Sequence, residues 1–343
     1  MRVGVLTGGG DCPGLNPAIR AVVRRSLQHG FEVWGIRNGW AGLLDGGELI
    51  PLDLQFVSGI LHVGGTKLGT SRTNPAKSEA MMDQVQRNLE RHGIEALVAI
   101  GGDDTLGVAH RLSQRGVHVV GIPKTMDNDV VGTDYCIGFD SAVSIVVEAL
   151  DRLHTTAESH HRVIVVEVMG RDTGWVAIMG GLAGGADFIL IPEEPHTLDE
   201  VIASLERRRQ RGKNFSIIVV AEGVVMPELA NKEAICERDA FGHVRLDRRC
   251  VAETIAQMIG ERTGMETRHV VLGHLQRGGS PTVFDRVLAT RFGVRAADMV
   301  QAGRFGRMVA IQGNHIVEVP LEVAASGIKP VDPELIRLAQ VFY

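Results

Sequence analysis

Cysteine is scarce and scattered. The chain has four in 343 residues, none in a C-x-x-C pair and none near histidine pairs at metal-ligand spacing. That excludes a readable disulfide framework and a thiolate metal centre. Cys12, Cys136, Cys236 and Cys250 read as reduced thiols of a cytosolic protein. Positive charge is not in excess either. A formal net charge of −5 argues against nucleic acid as a partner. No apolar run is long enough to cross a bilayer, which removes a membrane-spanning role. The opening MRVGVLTGGG reads as a strand and a loop rather than a secretory leader, so the expected location is the cytoplasm. Aromatics are few, at 4%. No internal repeat and no low-complexity linker divides the chain.

What is present is length and glycine. The chain is long enough for two domains, and 42 glycines suit many tight strand-to-helix turns. Short apolar runs alternate with helical spacing. Val3–Leu6, Phe31–Ile36, Ala96–Ile100 and Val117–Ile122 read as buried strands. So do Val163–Val168, Phe188–Ile191, Phe215–Val220 and His269–Leu272. Helices are expected over Leu106–Gln114, with a Gly116 stop, and roughly over 140–159, 175–184, 198–211, 251–263 and 286–301. Asn16 suits an N-cap with Pro17 at the first helical position. Thr197 and Glu200 fit a capping box. Met308–Gln312 and His315–Val319 read as a hairpin, and Asp332-Pro333 opens a C-terminal helix. Val224–Arg249 is polar and aperiodic, and reads as a surface excursion. The pattern is that of a doubly wound α/β protein, with a boundary near Gly138–Asp140.

The most informative segments are two acidic loops, Gly101-Gly102-Asp103-Asp104-Thr105 and Pro123-Lys124-Thr125-Met126-Asp127-Asn128-Asp129. Each follows a buried strand. If those strands are parallel neighbours, both loops leave the same sheet edge side by side. Their carboxylates and the lysine then suit Mg²⁺, phosphate oxygens and proton abstraction from a hydroxyl. The alternative for the first loop is an Asp-rich helix start; for the second, a solvated turn. Thr7–Gly14 is rich in glycine, which lets backbone N–H groups approach phosphate. It matches neither the dinucleotide fingerprint nor the GxxxxGK[ST] loop, and a plain tight turn remains an equal reading. Met169-Gly170-Arg171, Glu222-Gly223 and His274–Gly279 follow other strands. With Arg72 and Arg162 they supply cations suited to an anionic substrate.

GGGDCPGLN, the segment Gly65–Arg72, GGDDT, PKTMDND, MGR, AEG and GHLQRGG occur in order and spacing that resemble the phosphofructokinase family from about residue 1 to 320. The resemblance implies two Rossmann-like three-layer α/β domains with mostly parallel sheets and an active site in the cleft between them. Residues 1–139 plus about 251–303 would form the larger, donor- and Mg-binding domain. About 140–250 plus 304–343 would form the smaller, sugar-phosphate domain. By the same resemblance Asp127 is the base, and Asp103 and Asp129 serve Mg²⁺. Gly9, Gly10, Arg72, Asp104 and Lys124 meet the phosphoryl donor. Thr125, Met169, Gly170, Arg171, Glu222, His274 and Arg277 join Asp127 in binding the sugar phosphate. Arg162 and Arg268 resemble arginines lent by a neighbouring subunit, which implies a homodimer or homotetramer. Arg20 and Arg24 lie where effector arginines would, but read better as solvated helix residues, so weak effector control is expected.

ATP-using members typically carry Gly where this chain has Asp104 and Lys124. An aspartate fills the room of a nucleotide's α-phosphate and repels it. Lys124 offers a compact charge for a leaving phosphate. The pair therefore resembles the pyrophosphate-dependent subfamily, with fructose 6-phosphate as acceptor and a reversible reaction. The nearest rival is an ATP-dependent 6-phosphofructokinase. NAD or lipid kinases and a non-catalytic sugar-phosphate sensor rank lower, and a nicotinamide-binding protein fits worst.

Overall fold

The structure, a computed structural model, describes residues 1–44, 48–229 and 250–343. Two compact units emerge. The first comprises Met1–Ser141 and Arg277–Lys329, the second Ala142–Gln276 and Pro330–Tyr343. The strands of the first unit are β1 (Arg2–Thr7), β2 (Glu32–Ile36), β3 (Leu49–Pro51), β4 (Ala96–Gly101), β5 (Val119–Pro123), β10 (Arg307–Gln312) and β11 (His315–Pro320). They order as β11-β10-β5-β4-β1-β2-β3. The pairs β2–β1, β1–β4, β4–β5 and β5–β10 are parallel, while β2–β3 and β10–β11 are antiparallel. In the second unit β6 (Val163–Val168), β7 (Phe188–Leu190), β8 (Ser216–Ala221) and β9 (Thr267–Val271) order as β7-β8-β6-β9, all parallel.

Helices of the first unit are α1 (Leu15–Gln28), α2 (Glu79–Arg91), α3 (Asp103–Gln114), α8 (Val283–Gln301) and the short α9 (Leu321–Ala324). The long α4 (Phe139–His160) carries the chain from the first unit into the second. There α5 (Trp175–Ala183), α6 (Leu198–Gln210), α7 (Val251–Thr263) and α10 (Pro333–Gln340) follow. A strand buried at every position, such as ALVAIG in β4, needs cover on both faces. In the first unit Ile19, Val22, Leu288 and Phe292, from α1 and α8, cover one face. Met82, Val85, Leu106 and Leu112, from α2 and α3, cover the other. In the second unit Val201, Leu205, Ile255 and Ile259 pack on β6, β7 and β8.

Most of the expected elements appear within a few residues, and the Thr197–Glu200 capping box is complete. α2 was not foreseen, although Ser78 accepts from the Met81 N–H as an N-cap and Met82, Val85 and Leu89 share helical spacing. Asn16 is not an N-cap. α1 begins at Leu15 behind a left-handed Gly14, and the Asn16 amide donates to Val63 O and Gly64 O while its oxygen accepts from Lys67 N. Asn16 thus ties the 63–67 segment to the helix. The unit boundary falls at Ser141, close to expectation, but two segments change sides. β9 pairs with β6, which carries 251–276 into the second unit, and β10 pairs with β5, which holds 304–329 in the first. The excursion expected over 224–249, and Cys236 with it, lies mostly outside the described residues.

Asp285 anchors the start of α4. Fully buried, it accepts from Gly138 N, Ser141 N and Ser141 Oγ at 2.9, 2.9 and 2.6 Å. Burial pushes its carboxyl up from 3.8 to about 6, against the pull of those hydrogen bonds. The folded state then holds this proton more tightly than the unfolded one. The resulting stability is present below about pH 4 and is lost as pH rises through about 6. We expect the melting temperature of wild type relative to Asp285→Asn to fall between pH 4 and 7. An offset constant across that range would contradict this account.

Candidate active site

The order in which strands are added reverses at β1, with β2 on one side and β4 on the other. Ligands of open α/β sheets bind outside the carboxyl ends of strands at such a point. The loop after β1 and the loop after β4 meet there, since Gly8 N donates to Ile100 O at 2.9 Å. The loop after β5 lies alongside, with Gly101 opposite Pro123 in the parallel register and Lys124 N donating to Gly101 O at 2.9 Å. Thr105 fills the angle between the first two loops. A Cβ on Gly8 would lie 2.6 Å from its Oγ1, and one on Gly101 would strike its side chain. Glycine is required at both positions for the loops to close over that threonine.

Lys124 reaches from the third loop back to the first. The residue is 2% exposed, and its ammonium donates to Gly8 O at 3.0 Å and to Gly10 O. Burial lowers its pKa, with the neighbouring Cys12, Asp11 and Asp127 acting in the opposite sense. Asp127 is buried near it, and Asp129 is buried in the same loop. Thr125 Oγ1 donates to Asp127 Oδ2 at 3.2 Å and accepts from Asp127 N at 3.1 Å, which fixes the carboxylate relative to its own backbone. Asn128, in the left-handed region, pins the loop through Cys136 N and Asp134 O. Asp103 and Asp104 both occupy the first turn of α3, where the helix dipole favours negative charge.

Residues 65–72 close against the first loop. Gly9 N donates to Ser71 O at 3.1 Å, and Thr70 Oγ1 to Gly9 O at 2.6 Å, which brings the exposed Arg72 next to the loop. Arg277 also lies there. Its Nη1 donates to Asp11 O at 3.0 Å and would stand 2.5 Å from a Cβ on Gly10. Ser71 Oγ and Arg277 Nε are buried and have no hydrogen-bond partner among the described residues. Such unspent donors beside a glycine loop suit an anion. Arg277, expected at the sugar phosphate, thus also lies against the Gly8–Asp11 loop, and Ser71 and Thr105, which the motifs leave without a role, join it because only the chain's folding brings them there.

In the second unit Met169-Gly170-Arg171 follows β6 and Glu222 follows its neighbour β8. Glu222 Oε1 accepts from Gly170 N at 3.3 Å and Arg171 N at 3.1 Å, and Gln276 Oε1 accepts from Met169 N at 3.3 Å. His274 is exposed on the turn after β9. Arg162 and Arg268 lie elsewhere, at the amino edge of the same sheet, where both pair with Glu266 at 2.7 and 2.8 Å. β6 separates Arg162 from Met169 by roughly 20 Å at about 3.3 Å per residue.

No group of three or more His, Cys, Asp or Glu side chains close enough to hold a metal occurs among the described residues. That does not conflict with Mg²⁺, which is bound through one or two carboxylates together with substrate phosphates and waters. Hard carboxylate oxygens from Asp103 and Asp129 are the right kind of donor. No helix among the described residues is long and apolar enough to cross a membrane.

Fold and site define an α/β protein that gathers carboxylates and cations at the carboxyl edge of a parallel sheet, as handling of a phosphorylated ligand requires. The comparisons make this specific. Residues 2–300 match the Phosphofructokinase family model, and the chain belongs to the phosphofructokinase family. It is 56% identical to the pyrophosphate–fructose 6-phosphate 1-phosphotransferase of Amycolatopsis mediterranei, with both chains fully covered. It is 48% identical to the ATP-dependent 6-phosphofructokinase of Corynebacterium efficiens, over 100% of this chain and 99% of that one. A phosphofructokinase structure from Saccharomyces cerevisiae superposes with a TM-score of 0.81 at 33% identity, covering 99% of this chain. This chain spans 46% of that longer yeast chain.

Burial raises the Cys12 and Cys136 thiols to about 12, whereas Cys250 is exposed. Brief iodoacetamide treatment at pH 8 should label Cys250 and spare the other two until the protein is unfolded. Peptide mass spectrometry reads the outcome, and native labelling of Cys12 would refute the packing described for the Gly8–Asp11 loop.

Proposed function

We propose that this protein transfers a phosphoryl group from pyrophosphate to the 1-hydroxyl of fructose 6-phosphate, giving fructose 1,6-bisphosphate and phosphate in a reversible reaction. The observation that carries the choice of donor is the pair Asp104 and Lys124. A carboxylate in the first turn of α3 opposes a nucleotide's extra phosphate, and a buried ammonium on the Gly8–Gly10 loop serves a small, highly charged donor. Relatives at 54–56% identity over the full chain carry the pyrophosphate-dependent name, which supports the same choice.

Asp127, held by Thr125, takes the hydroxyl proton and orients the oxygen for in-line attack. Lys124 and Arg72 balance charge as the bond to the leaving phosphate breaks. Gly9 and Gly10 present backbone to the donor, and Arg277 Nε, beside Gly10, is placed to add a hydrogen bond to it. Asp103 and Asp129 would hold Mg²⁺, which when bound neutralises the donor's oxygens. Met169, Gly170, Arg171, Glu222 and His274 recognise the sugar phosphate. Arg162 and Arg268, far along β6 and β9 from the Met169 turn, serve the site of a second copy, so the active form is a homo-oligomer.

Purified enzyme should show a higher kcat/KM with pyrophosphate than with ATP, and Asp104→Gly should gain measurable ATP use. A preference for ATP in the wild type would instead support the ATP-dependent alternative. Asp127→Ser should lose about 10²- to 10⁴-fold in kcat, as expected on removing a general base. Arg162→Ser alone should also be impaired. Mixing these two variants under subunit exchange should restore activity, because a mixed oligomer holds one site with both residues intact. Failure to complement, with exchange verified by mass, would remove the shared site.

A further inference from the structure

Glu193 takes no part in the mechanism above, yet it is spent entirely on backbone beside the sugar-recognition turn. β7 ends in a tight reversal, closed by an Ile191–Glu194 bridge, that presents the half-buried Glu193 side chain. Both carboxylate oxygens accept from Gly174 N, at 3.1 and 2.9 Å, where α5 begins. Oε1 also accepts from Val331 N at 3.1 Å. Gly174 is the last residue before α5 of the segment that starts at Met169. Within that segment Thr173 N and Thr173 Oγ1 donate to Gly170 O at 3.0 and 3.3 Å, so the turn is closed on itself. Glu222 grips its near end through Gly170 N and Arg171 N, and Glu193 grips its far end. Arg171, between them, sits at φ 51°, a conformation that costs energy for a residue with a Cβ and persists only when its surroundings impose it. Val331 belongs to the segment by which the chain re-enters the second unit, and two residues earlier Lys329 N donates to Asp129 O in the first unit at 2.7 Å.

We propose that Glu193 is a positioning residue for substrate recognition: by fixing Gly174 it sets the conformation in which Gly170 and Arg171 meet the sugar phosphate. The inference rests on the reading of the Met169–Arg171 turn as the sugar contact. Glu193→Ala should raise the KM for fructose 6-phosphate about tenfold, the scale on which weakening one charge-assisted contact lowers affinity, with the KM for pyrophosphate unchanged. Glu193→Gln retains an oxygen able to accept from both N–H groups and should restore the wild-type KM. Arg171→Ala, measured in parallel, tests the turn itself. A raised sugar KM in Arg171→Ala with wild-type values in a folded Glu193→Ala overturns the role of Glu193 and leaves the turn reading intact. Unchanged sugar KM in both variants removes the turn reading and the proposal with it. If Glu193→Ala does not fold, Glu193→Asp, which withdraws the carboxylate by one methylene, carries the test: a raised sugar KM alone supports the role, and an unchanged one rejects it.

Discussion

A buried ammonium group holds the first unit's site together. Taking Lys124 out of water disfavours its charged form, and its pKa falls accordingly. The charge is tolerable because two carbonyls of the Gly8–Gly10 loop accept from it and Asp11 and Asp127 lie near. The loop after β5 is thereby tied to the loop after β1, across the loop after β4 that lies between them in the sheet. Acidic side chains from different strands can then share one edge without relying on any flexible tether. Thr105, wedged against Gly8 and Gly101, supports the same closure by packing.

The second unit solves a related problem with the opposite charge. The turn after β6 is a short backbone segment containing a left-handed arginine, and carboxylates rather than an ammonium secure it. Backbone N–H groups are the natural partners of carboxylates, as carbonyls are of lysine. On the function proposed above, the charged side chain that fixes each loop stands close to where ligand charge would be placed. Fold stability and ligand recognition therefore draw on the same contacts, and a substitution at either anchor affects both.

Much of this was legible from residues alone. The strands of the sheets are runs of buried apolar residues, and glycine-rich or acidic segments follow them at regular intervals, so the α/β class and the position of each loop could be read directly. The motifs that carry the family resemblance are likewise local. What failed was longer in range. Asn16 has the chemistry of an N-cap, but its amide finds better partners in residues 63–67. Nor does its motif reveal that Arg277 packs against the Gly10 loop. Residues 251–276 and 304–329 fall in the other unit from the one expected, because strand partners leave no trace within a strand.

By itself the sequence determined which segments bury apolar side chains, where the chain must turn, and which reactive groups those turns carry, because propensity and periodicity are properties of neighbouring residues. Tertiary structure alone decided that β1 lies between β2 and β4, that Lys124 reaches back to Gly8 and Gly10, and that Arg162 and Arg268 share Glu266 across β6 and β9. Those outcomes depend on strand order and register. Both are set by packing across the whole core, which no short stretch of residues contains.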